Sequence, residues 1–161
     1  MRGGVVPPAL LFLALGLALA FTPRRAWAPS LLALLATLGA VAFVRVPQTR
    51  LEGVFFACWV SVIITAASVH LGRGLKTWAA VALSINAAVW ASAVVSLSGT
   101  RLDLLKALTC VLVLLPAARV VSSYASTPVK VVSSWVIAVA ILAATLQLLP
   151  VTPGYLPDHL E

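Results

Sequence analysis

Few residues in this chain have side chains that could carry out chemistry, and their placement limits what that chemistry is. The carboxylates are Glu52, Asp103, Asp158 and Glu161, and the imidazoles are His70 and His159. Acid–base catalysis needs such groups held together at a reacting centre, and metal or haem sites need clustered ligands. His70 ends one apolar run and His159 lies in the C-terminal tail, on opposite faces of a six-span protein. Glu52 reads as a loop residue, and Asp158 and Glu161 as tail. Asp103 stands three residues before Lys106 on one helix, which predicts a structural ion pair. Cys58 and Cys110 both sit inside apolar runs, where a thiol behaves as a small hydrophobe, and no disulfide is expected. There is no nucleophile elbow, P-loop, glycine-rich dinucleotide turn or CxxC. The sequence therefore predicts no enzyme, no metal and no other cofactor.

Two polar sets remain. Ser61, Thr65 and Ser68 lie in one apolar run, and Ser84, Asn86, Ser92 and Ser96 in the next. They read either as hydrogen-bonding glue between two packed helices or as a hydroxyl-lined pathway for a solute, and the first is the expectation. The second set is His70, Arg73 and Lys76, an interfacial cluster whose functional reading is binding of an anionic lipid headgroup. No acid lies at the centre of any apolar run, where proton- or cation-coupled transporters place one. That counts against a coupled pump.

The elements that must position these groups follow from hydropathy. The chain has 161 residues, of which 62% are hydrophobic and 9% charged, with a mean hydropathy of +1.11. Soluble domains carry about 25% charged residues, so this composition belongs to a membrane protein. A formal charge of +7 would suggest nucleic acid in a soluble protein. Here the cations fall in ones and twos at the ends of apolar runs, which is a flanking pattern, and no nucleic acid partner is expected.

Six apolar segments are read, at residues 5–22, 27–44, 54–72, 77–99, 102–121 and 131–149, followed by a short exposed tail at 150–161. The predicted fold is an all-α polytopic transmembrane helical bundle forming a single domain, with five helices as the alternative to six. The first segment resembles a signal peptide, with Ala26-Trp27-Ala28 as a cleavage site, but Arg24, Arg25 and Pro29 argue for a retained helix. The fifth is the weakest, because Pro116 interrupts it and its unbroken apolar run is short. A re-entrant segment is the alternative there.

The run from Thr77 to Thr100 is about 24 residues without charge or proline, roughly 36 Å as a helix, and is read as the central helix. Its ridge of Ala80, Ser84, Ala88, Ser92 and Ser96 is predicted to pack on a stripe of Ala57, Ser61, Thr65, Ser68 and Gly72. Asn86 and Trp90 point to the other side of that helix. Arg2, Arg45, Arg50, Arg101 and Lys106 fall on the face of the termini, against Arg24, Arg25, Arg73, Lys76, Arg119 and Lys130 on the other. The cation count decides little, all four acids fall on the termini face, and both termini are read as outside the cytoplasm.

The expected function is an accessory or scaffold subunit of a larger membrane complex. The alternative is a small permease or channel using the polar seam between helices three and four. The expected surroundings are a lipid bilayer, with other membrane subunits or further copies of the chain as partners, in a bacterial inner membrane.

Overall fold

The chain's structure is a computed structural model that describes residues 5–41, 47–71, 74–123 and 126–148. Among these residues it forms six helical rods and no strand. They are α1 (Val6–Ala20), α2 (Trp27–Val41), α3 (Leu51–Ala67), α4 (Thr77–Ser98), a fifth rod, and α7 (Thr127–Leu148). The fifth rod consists of α5 (Arg101–Leu108), a 3-10 stretch (Thr109–Val113) and α6 (Leu114–Ser123). Four stretches are long and apolar enough to cross a membrane: Leu51–His70, Thr77–Ser98, Leu102–Ser122 and Thr127–Leu148. The fifth rod is thus long enough despite Pro116.

The proline leaves its mark one turn upstream. It has no N–H for the carbonyl of Leu112 and its ring crowds that carbonyl, so the α-helical ladder cannot continue unchanged. The tighter winding of Thr109–Val113 falls on this turn.

The centre of the bundle is α1, not the long uncharged α4. Leu11, Phe12, Ala14, Leu15, Ala18 and Leu19 are all fully buried, and α1 packs against α3, α4, α5, α6 and α7. Its composition explains the place. Pro7 and Pro8 stand in the first turn, where a missing N–H costs nothing, and the rest of the helix is apolar on every side. At 15 residues, about 22 Å, it is too short to cover a hydrocarbon core on its outer surface, but a helix enclosed by others has no such surface to cover. Gly16 provides the closest approach. A Cβ added there would lie 2.8 Å from Val113 Cγ1, 3.0 Å from the Val111 carbonyl oxygen and 3.3 Å from the Leu114 nitrogen. The 3-10 stretch of the fifth rod therefore lies directly on the glycine's backbone.

Helix α4 is the second core element, packed between α1, α2 and α3, while α2 rests chiefly on α4. Consecutive rods run in opposite directions. The Trp27 indole at the start of α2 donates to the Leu19 carbonyl at the end of α1, at 3.0 Å. Gly74, just before α4, takes φ +66°, with the Phe21 carbonyl oxygen 2.8 Å from where a Cβ would stand. Both the left-handed backbone and the close carbonyl require glycine there. Ser133 in α7 donates to the Ala66 carbonyl near the end of α3, at 2.7 Å. The ends of α1, α3 and α6 and the starts of α2, α4 and α7 thus share one end of the bundle.

Candidate functional site

The polar seam between α3 and α4 is organised by Asn86. Its amide nitrogen donates to Ser61 Oγ across the helix interface, and its amide oxygen accepts from the Trp90 indole nitrogen at 3.1 Å. An indole N–H can only donate, so the contact also fixes which amide atom is the oxygen. Helix α3 therefore meets the Asn86 side of α4. Ser84 and Ala88 each lie two residues from Asn86, about 200° around the helix, so the ridge of small residues faces away from α3. The larger neighbours of α4 besides α3 are α1 and α2. The expected packing of ridge on stripe is corrected accordingly: the two helices do touch, but through Asn86 and Ser61.

The other hydroxyls are turned inward on their own helices. Ser84 donates to the Ala80 carbonyl at 2.9 Å, Ser68 to Thr65 at 2.6 Å, and Ser96, on the exposed face, to Ala93 at 2.8 Å. Buried hydroxyls without a partner are those of Thr65 on α3, Ser92 on α4 and Ser30 on α2. Seven sequence-selected residues thus divide into one interhelical bond, three local caps and two unpaired hydroxyls. They do not converge on one point.

At the end shared by α1, α2, α4 and α6, two clefts open. One, of about 670 Å³, is lined by Arg24, Trp27, Leu115, Pro116, Ala118, Arg119 and Ser122. The other, of about 700 Å³, is lined by Pro23, Arg25, Gly74, Leu75, Lys76, Thr77 and Trp78. Of the three residues read as a headgroup cluster, Lys76 lines the second cleft. His70 stands apart from both, with Ser134 Oγ of α7 3.5 Å from its Nε2. Arg73 lies outside the described residues, as do Gly72, His159 and the tail at 150–161. The sequence places Arg24, Arg25 and Arg119 on the same face as Lys76 only as flanking cations, because Arg24 and Arg119 are far apart in the chain and no local pattern joins them.

No protein-family model, curated protein or solved structure matches the chain.

Two further expectations change. Glu52 lies in the first turn of α3, where a carboxylate complements the helix dipole, and not in a loop. Asp103 caps α5: its carboxylate accepts from the Thr100 backbone N–H at 2.8 Å and from the Thr100 hydroxyl at 2.9 Å. The capping contact takes up the carboxylate expected to pair with Lys106. Cys58 and Cys110 are both free thiols, the first buried and the second half-buried. Among the described residues, no three of the His, Cys, Asp and Glu side chains gather as a metal site would require.

Proposed function

We propose that the chain is an integral membrane protein acting as an accessory or scaffold subunit of a larger membrane complex. Four apolar membrane-length helices support the bilayer reading, as does an outer surface on which Leu32, Leu115, Trp135 and Leu142 are exposed. In water such a surface would be an aggregation liability. The observation that carries the subunit reading is the outer face of α2. Ala36, Gly39 and Ala40 are exposed there, and a Cβ at Gly39 would meet nothing within 4 Å. Small residues let helix backbones approach within a membrane, and on α2 they face outward from the bundle. Helix α2 rests chiefly on α4, along one side.

The seam supports the same reading, because both ends of the Asn86 amide are occupied by protein. A small permease or channel is the second reading, favoured by the unpaired buried hydroxyls of Thr65 and Ser92. Gly39→Leu separates the two. In the subunit reading it abolishes co-purification with a partner without lowering the chain's own thermal midpoint, since leucine is a better helix former than glycine. Retained assembly, together with a solute flux lost in Thr65→Val and Ser92→Ala, would replace it with the permease reading.

A further inference from the structure

The two clefts at the Arg24–Ala26 end share a pattern that the seam does not explain. Each is lined by two cations and a tryptophan, and neither is lined by an acid: Arg24, Arg119 and Trp27 in one, Arg25, Lys76 and Trp78 in the other. The short 3-10 turn Arg24–Ala26 divides its side chains between them. It winds about three residues per turn, so successive side chains point about 120° apart. Ala26 takes the inward face and is fully buried, and its N–H bonds the Pro23 carbonyl at 2.8 Å. With one face of the turn fixed against the core, Arg24 and Arg25 must project from the other two, one toward α6 and one toward the start of α4.

We propose that these clefts hold the phosphates of anionic phospholipids, one between Arg24 and Arg119 and one between Arg25 and Lys76. The proposal rests on the bilayer reading given above. Guanidinium groups match phosphate oxygens in a bidentate fork, and an ammonium serves as a point charge beside them. Trp27 and Trp78 are amphipathic side chains of the kind that settle at headgroup depth. Leu115 and Pro116 extend the first cleft along α6 with apolar surface, which suits an acyl chain and gives a free phosphate ion nothing. Among the described residues no carboxylate competes for these cations, because Glu52 and Asp103 both lie at the opposite end of the bundle.

The test uses the full chain purified in neutral detergent, with bound lipid counted by native mass spectrometry. Phosphatidylglycerol, phosphatidylcholine and inorganic phosphate are titrated separately. Arg24→Gln/Arg119→Gln and Arg25→Gln/Lys76→Gln are compared with Arg50→Gln/Lys106→Gln at the other end. All six side chains are exposed, so the substitutions leave the core intact, and lipid-free thermal unfolding checks this. Near an anionic surface each cation contributes about a five-fold factor, so each cleft double variant is expected to weaken phosphatidylglycerol retention at its site roughly thirty-fold. The control variant is expected to retain it. Equal retention of the two lipids, equal loss in the control, or competition by inorganic phosphate at the lipid's own concentration would each overturn the proposal. Separately, release of the chain from its source membrane by an alkaline wash would overturn the bilayer reading itself, whatever the clefts bind.

Discussion

Gly16 gives the strongest handle on the packing, because the same substitution at Gly39 should have the opposite effect. At Gly16 a new methyl would stand 2.8 Å from Val113 Cγ1 and 3.0 Å from the Val111 carbonyl oxygen. A β-branched side chain on a helical turn has little rotamer freedom to withdraw, and the carbonyl can move only with its backbone. Overpacking of this kind costs about 1–3 kcal/mol. Replacing glycine by alanine inside a helix returns about 1 kcal/mol of intrinsic propensity. At Gly39 the propensity term acts alone, since nothing lies within 4 Å. The helix term is shared by both sites, so the difference between Gly16→Ala and Gly39→Ala isolates the strain, about 1–3 kcal/mol. For a chain of this size each kcal/mol moves the thermal midpoint by about 2–4 °C. Thermal unfolding of the two variants in the same detergent reads the difference directly. A Gly16→Ala protein as stable as Gly39→Ala would refute the close contact between α1 and the fifth rod.

Other consequences follow from named contacts. Asn86→Leu removes two hydrogen bonds of about 0.6 kcal/mol each and should destabilise the bundle by roughly 1 kcal/mol. A double-mutant cycle with Ser61→Ala should show coupling, and additivity would contradict the interhelical bond. Trp27→Phe deprives the end of α1 of one donor to the Leu19 carbonyl, leaving Thr22 Oγ1 as the other side-chain donor there, at 2.6 Å. A loss of about 0.5–1.5 kcal/mol in chemical unfolding is expected. A membrane-permeant maleimide should label half-buried Cys110 ahead of buried Cys58, and the reverse order would contradict the burial of α3. A chain beginning at Ala28 lacks the core helix and should lose protease resistance altogether, whereas cleavage of a dispensable leader would leave it intact.

The six helices are legible because each carries an apolar run, most of them flanked by charges. Their ends are less so. Helix α3 begins at Leu51 and α7 at Thr127, about a turn before the apolar runs expected at 54 and 131. Hydropathy marks where a chain becomes apolar, while a helix starts at its own backbone signals, such as Pro128 in the first turn of α7. Glu52 and Lys130 thus look like boundaries in the sequence although both lie in the opening turn of a helix. The sequence points to α4 as the central helix because it is the longest uncharged run, but length is no sign of centrality. The better sign was the all-round apolarity of Val6–Ala20 and its Gly16. Asn86 and Ser61 were visible as rare polar groups, but their pairing depends on the rotation of α4 about its axis. Small residues at four-residue spacing suit any close neighbour and do not say which helix it is. The Arg24–Arg119 cleft depends on tertiary placement alone.

The proposed subunit role places the outer α2 face of the bundle against another membrane protein. Native mass spectrometry of the chain purified from its source membrane in mild detergent tests it most directly. The predicted result is a stoichiometric complex with a different membrane protein, lost in Gly39→Leu. Recovery of the chain alone, or only with copies of itself, would contradict the claim.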